Sequence, residues 1–261
     1  MSATLSAIDT AKFVAAKQAC TYVEDGMRLG LGTGSTAAWL VRCLGEMVEQ
    51  DGLRITGVPT STRTAELARQ AGIEVVSLDE ARWLDLTIDG ADEFDGELNL
   101  IKGGGGALLQ EKIVATASDR MIVIADATKK VETLGAFPLP VEVIPFGWQT
   151  TKALLEETVA SLDVMGETVT LRMDGGDPYV TDEGNHILDL HLGRIGNPRQ
   201  LALVLNQVPG VVENGLFIDI CDIVIVGSGD GSVSVTDIND GTTRTGRIEI
   251  DEPANLFSEL D

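Results

Sequence analysis

Residues 27–48, MRLGLGTGSTAAWLVRCLGEMV, carry the reading on which the fold turns. Met27 to Leu31 reads as a short strand and Ser35 to Val48 as a helix, with a glycine-rich turn between them. Strand, turn and helix make half of a βαβ unit, and the same alternation continues on both sides. Before it, Ala11 to Val23 has the pattern of an amphipathic helix. After it come a strand over Arg54 to Val58, a helix over Ser61 to Gln70, and strands over Ile73 to Ser77 and Leu84 to Ile88. A helix over Ala107 to Ala117 follows. Met121 to Ala125, MIVIA, is a continuous apolar run, as expected of a central strand buried on both faces. The pattern predicts an α/β fold with a mostly parallel sheet and helices on both of its faces.

The rhythm then changes. Phe137 to Pro145, FPLPVEVIP, is proline-rich with an extended middle, a crossing into a second domain. From there to about Pro209 the pattern is a helix, two or three strands and another helix, a small α+β unit. Ile218 to Val226, IDICDIVIV, returns to the buried-strand pattern of the first half. Gly241 to Asp261 is polar and acidic and reads as a tail. The expected partition is residues 1–134 with 211–261, and residues 135–210.

Composition narrows the function. The chain has 261 residues, 44% hydrophobic, enough for a sizeable core. No run approaches the roughly 20 apolar residues of a membrane span, and the N-terminus lacks the pattern of a secretion signal, so a cytoplasmic location is expected. Cys20, Cys43 and Cys221 are widely spaced, as in a reduced cytosolic protein. With two histidines, His186 and His191, and no third ligand near them, no metal is expected. The 41 acidic against 19 basic residues give a formal charge of -22. That field disfavours nucleic acid and anionic membranes as partners, and it demands local basic groups wherever a phosphate is held. The acids are spread along the chain, as on a surface adapted to a salt-rich cytoplasm.

Three loops, each after an expected strand, carry candidate chemistry. At the carboxyl ends of strands in an open α/β sheet such loops meet ligands. Gly30 to Thr36, GLGTGST, offers backbone N–H groups at a helix start, with the hydroxyls of Thr33, Ser35 and Thr36; it fits an anion and is neither a P-loop nor a dinucleotide motif. DGADE, residues 89–93, sets Asp89 and Asp92 three apart, for proton handling, for sugar hydroxyls, for a metal, or simply as a capped turn. Lys102 leads four consecutive glycines into a helix that carries Glu111 and Lys112. Four glycines cost much backbone entropy, so a special loop geometry is expected. By itself Glu111 reads as one more residue of a solvated helix face.

GTGSTA, DGADE and KGGGGALLQEK, in this order and spacing, resemble the signatures of the type A ribose-5-phosphate isomerases. The similarity runs on through IADATKKV and FPLPVEVIPF to NQVPGVVENGLF. It lapses over Leu162 to Pro178 and after Gly231, and Gly106 stands where the family pattern has alanine. The resemblance implies a Rossmann-like, doubly wound large domain with a smaller ferredoxin-like α+β domain. It implies that Thr33, Gly34, Ser35 and Thr36 hold substrate and its phosphate, with Lys12 and Lys129 as further substrate-binding cations. Asp89 and Asp92, with Gly90 and Ala91 between them, match an acidic substrate-binding pair. Lys102, Gly103, Gly104 and Gly105 match the Lys-Gly loop, and Glu111 the general base. No cofactor is implied, the substrate is a small sugar phosphate, and the assembly is a homodimer or homotetramer.

The chemistry agrees with this assignment. One carboxylate can carry a proton between neighbouring carbons through an enediolate, with Lys102 and glycine N–H groups to stabilise the developing oxyanion. Partial burial would raise the Glu111 pKa towards neutrality. Two other readings compete. An amino-sugar-phosphate isomerase or lactonase would lean on a catalytic histidine. A sugar-phosphate sensor would need a DNA-binding segment, and only about 25 residues precede the first strand.

Overall fold

The computed structural model describes residues 5–250. The chain divides into two compact units, one of residues 1–90, 117–128 and 222–261 and one of residues 91–116 and 129–221.

The first unit is built on an eight-stranded sheet. From one edge its order is Thr242–Arg247, Ser232–Asp237, Ile223–Gly227, Met121–Asp126, Leu86–Asp89, Arg28–Leu31, Thr56–Pro59 and Glu74–Val75. The last six of these are parallel. The first two pair antiparallel at the edge. The order reverses beside Arg28–Leu31: the strands that follow it lie on one side, and Leu86–Asp89 and Met121–Asp126 on the other. This is the doubly wound arrangement expected from the alternation. Met121–Asp126 is buried at every position, as a strand in mid-sheet with both faces covered must be. The helices Ala7–Cys20, Ser35–Gln50 and Thr62–Gln70 supply the covering layers, with Val14, Ala16, Leu40 and Leu44 fully buried.

The second unit contains a four-stranded antiparallel sheet in the order Val211–Asn214, Leu139–Val143, His186–His191, Thr168–Leu171. With the helices Trp148–Val159 and Pro198–Leu205 the chain order is βαββαβ, the ferredoxin-like pattern. Phe137 to Pro145 is thus a crossing only at its ends, because Leu139–Val143 is a fully buried strand near the middle of this sheet.

Two expectations differ from the structure. Residues 91–116, 129–134 and 211–221 group with the second unit, whereas the sequence pattern put them with the first. The cause is pairing: Leu100–Ile101 joins Leu216–Phe217 in a small sheet, and the Glu93 carboxylate accepts the Gly135 and Phe137 N–H groups at 2.7 and 2.6 Å. The segment expected to be a tail begins with a strand, Thr242–Arg247, which lies exposed on the sheet edge. Residues 251–261 of that segment lie outside the described residues. Among the described residues no helix is long and apolar enough to cross a membrane.

Candidate active site

In the first unit, Gly32 to Thr36 and Asp89 lie at the carboxyl ends of two adjacent strands where the strand order reverses, the usual ligand position in such a sheet. Asp89 is fully buried, and its Oδ1 accepts the N–H groups of Thr33 at 3.1 Å and Gly90 at 2.7 Å. Gly32 packs so closely there that a Cβ would stand 2.6 Å from the Asp89 Cα, so only glycine fits. The carboxylate therefore shapes the glycine turn. Gly34 has φ +106° and caps the Ser35–Gln50 helix without a side chain, leaving first-turn N–H groups of that helix open to an anion. Ser35 is exposed and Thr36 half-buried.

The Thr33 hydroxyl meets three others, Thr60 and Ser61 at 2.8 Å and Thr64 at 3.3 Å. Thr60 and Thr64 also bond the carbonyls of Leu31 and Gly32, at 3.2 and 3.0 Å. This hydroxyl cluster, with Arg63 beside Gly34 around a small cavity, was not singled out from the sequence. Its signal, TSTRT after a strand, is legible only once the two turns are known to be neighbours. Lys12, on the first helix, is partly exposed and lies 3.8 Å from Asp9.

The second unit holds the remaining candidates. Lys102 and Glu111 are buried, with Lys102 Nζ 3.4 Å from Glu111 Oε2 and 5.4 Å from the centre of the Phe217 ring. The solvated-face reading of Glu111 is therefore overturned. Its helix, Leu108–Thr116, turns this side inwards while Ile113 stays exposed. The neighbouring Lys112 is tied to Glu213 and to the Asn214 carbonyl at 2.9 and 2.5 Å. Burial lowers the Lys112 pKa despite the attraction of Glu213.

Between Lys102 and this helix the four glycines make the sharp turn their sequence implies. Gly103 and Gly106 have positive φ, and a Cβ on Gly103 would meet Leu108 at 2.8 Å. The Gly104 N–H donates to Asp92 Oδ2 at 2.7 Å. Gly104 and Gly105 are exposed, whereas Ala91 and Asp92 are half-buried. Lys129 closes a short 3₁₀ turn and is half-buried. His186 Nδ1 lies 3.1 Å from the Tyr179 carbonyl and His191 Nε2 lies 2.8 Å from the Thr170 hydroxyl, so both histidines serve their own hairpin. Among the described residues no group of three or more His, Cys, Asp or Glu side chains is placed to hold a metal ion.

A buried carboxylate against an ammonium, beside a loop of backbone donors, can move a proton and stabilise an oxyanion. A family profile described as ribose 5-phosphate isomerase A (phosphoriboisomerase A) matches residues 56–231. A curated ribose-5-phosphate isomerase A from Ruegeria sp. strain TM1040 is 78% identical over the full length of both chains. A D-ribose-5-phosphate isomerase solved in complex with phospho-erythronic acid is 42% identical, with TM-score 0.82, over 89% of this chain and 100% of its own. Ribose 5-phosphate isomerase A from Neisseria gonorrhoeae is 38% identical, with TM-score 0.80, over 90% of this chain and 99% of its own.

Proposed function

This chain belongs to the ribose 5-phosphate isomerase A family, and on that premise we propose how its residues divide the work of interconverting D-ribose 5-phosphate and D-ribulose 5-phosphate. The reaction, a step of the pentose phosphate pathway, moves one proton between adjacent carbons. Glu111 takes the proton from C2 of the open-chain aldose, leaving an enediolate, and returns it to C1 to give the ketose. The carbonyl oxygen gains charge as the proton leaves. Lys102, with the N–H groups of Gly103 and Gly105, stabilises that charge, while the Gly104 N–H holds Asp92. Asp92 and Asp89, with Gly90 and Ala91, serve the sugar hydroxyls and the proton that moves between the two oxygens.

Thr33, Gly34, Ser35 and Thr36 hold the phosphorylated substrate, and Lys12 and Lys129 supply positive charge against the global excess of acid. Binding energy from a phosphate remote from the reacting carbons positions the sugar. The observation that carries this reading is the buried Lys102–Glu111 pair at 3.4 Å, beside a loop built of glycines. A phosphorylated four-carbon acid, the ligand of the solved relative, carries a carboxylate resembling the enediolate oxygens and fits the same division. The enzyme works in the cytoplasm as a homodimer or homotetramer, a state that light scattering resolves.

The test is to incubate the protein with ribose 5-phosphate in excess EDTA and follow ribulose 5-phosphate over a range of KCl. Product is expected throughout the working range. Its absence at every salt concentration would overturn the reading.

A further inference from the structure

We infer that Arg172, seconded by Tyr179, is a positioning residue for the reaction, acting through the carbonyls of the glycine loop. The inference rests on the assignment of Lys102 and its glycines to the reacting end of the substrate. Arg172 lies within Leu162 to Pro178, where the family resemblance lapses.

Its guanidinium is divided between two tasks. Nε and Nη2 fork onto the Asp189 carboxylate at 3.0 and 2.5 Å. Nη1 donates to the Gly103 carbonyl at 2.9 Å and the Gly104 carbonyl at 3.1 Å. The Tyr179 hydroxyl donates to the next carbonyl, that of Gly105, at 3.4 Å. Three consecutive carbonyls of the loop are thus held by one pair of side chains, beside the Gly106 N–H on the Gly103 carbonyl at 3.0 Å and Asp92 on the Gly104 N–H.

A short hairpin brings that pair together. Met173–Asp174 pairs with Asp177–Pro178, and the Tyr179 N–H bonds the Arg172 carbonyl at 2.9 Å. The Arg172 guanidinium carbon then stands 5.9 Å from the Tyr179 ring centre. Gly106 leaves room for this ring, since a Cβ there would lie 2.2 Å from the tyrosine oxygen.

The consequence follows from peptide geometry. In a planar trans peptide the N–H points opposite to the C=O. With the Gly103 carbonyl turned to Arg172, the N–H of Gly104 faces the other way, where Asp92 Oδ2 accepts it. With the Gly104 carbonyl also on Arg172, the Gly105 N–H is turned away from the guanidinium in its turn. A run of glycines could flip these planes at little steric cost and present carbonyl oxygens, which repel an enediolate. Arg172 opposes that flip at both planes, with Asp92 and the Gly106 N–H helping only at the first. The guanidinium makes four hydrogen bonds here, two of them a fork on one carboxylate, and an ammonium has only three donors on a single nitrogen, so lysine is not equivalent.

The experiment compares Arg172→Ala, Arg172→Lys and Lys102→Ala with the unaltered protein, measuring kcat, KM and thermal midpoint. Arg172→Ala is expected to lose about 10²-fold in kcat, the scale of a misplaced donor, with KM within about threefold. Millimolar guanidinium, against KCl at equal ionic strength, is expected to restore part of that loss in Arg172→Ala and to leave Lys102→Ala unchanged. Arg172→Lys keeps a cation beside Asp189 and so protects the fold; it is expected to lose about tenfold in kcat, between the unaltered protein and Arg172→Ala. Full activity in Arg172→Lys or Arg172→Ala would overturn the inference, as would a loss in Arg172→Ala that guanidinium leaves untouched. A Lys102→Ala protein of unaltered rate would instead overturn the assignment of the loop, and the role of Arg172 with it.

Discussion

Replacing Glu111 by glutamine separates chemistry from stability in one substitution. The amide keeps the shape of the carboxylate but cannot take the proton from carbon, so turnover should fall by about 10²–10⁴-fold, the range for a positioned base. Lys102 would at the same time lose its counter-charge while only 2% exposed. Breaking a buried pair by removing one partner costs about 3–5 kcal/mol. For a chain of this size 1 kcal/mol corresponds to about 2–4 °C, so the midpoint should fall by roughly 6–20 °C. The lower part of that range is expected, because the glutamine oxygen keeps a partial negative charge near the ammonium and the Phe217 ring remains beside it. Adding Lys102→Met removes the stranded charge, so the double variant should regain most of the stability and none of the rate. Ribulose 5-phosphate formation and calorimetric midpoints at fixed KCl measure both arms. A Glu111→Gln protein with half its rate would place the base elsewhere, with Asp89 and Asp92 next in line. An unchanged midpoint would show that the pair is no electrostatic unit.

Gly32→Ala should cost about 1–3 kcal/mol, as overpacking does, and abolish most turnover, because the new Cβ would stand 2.6 Å from the Asp89 Cα, a backbone atom that cannot swing aside; a midpoint equal to that of the unaltered protein refutes it. Glu142 is fully buried, and its Oε1 accepts from Thr181 and Asn185 while Oε2 has no hydrogen-bond partner. Burial raises its pKa, outweighing those hydrogen bonds, and the charges of Glu183 and Glu213 add to the rise. Its stabilising contribution is thus complete below the unfolded value of 4.5 and is lost as pH rises through the higher folded value. Glu142→Gln should therefore gain stability over the unaltered protein as pH rises above 4.5, and a difference that stays flat with pH contradicts the assignment. With a formal charge of -22, the midpoint should rise as KCl goes from about 0.05 to about 3 M, because screening shortens from over 10 Å to under 3 Å. A flat or falling midpoint would show that the acidic surface is no adaptation to salt.

Much of the first unit was legible because its signals are local. A strand buried on both faces writes itself as MIVIA, and a helix meeting the core writes its period into Ser35–Gln50, whatever the rest of the chain does. The Gly32–Thr36 turn and the Lys102 loop announced themselves by glycines whose only physical use is a constrained backbone. Thr242–Arg247 was not legible, because an exposed edge strand with polar residues on both faces has no period to read. Which residues meet was beyond local pattern altogether. Glu111 looked solvated until its helix was placed with that face towards Lys102. The Thr33 hydroxyl finds Thr60 across 27 residues, and Arg172 reaches Gly103 across 69. Sequence determined the elements, the turns and the kind of chemistry, since propensity and backbone entropy act within a few residues. Only the tertiary structure decided which donors are aimed and which carboxylate is buried, since strand order and long-range hydrogen bonds set those.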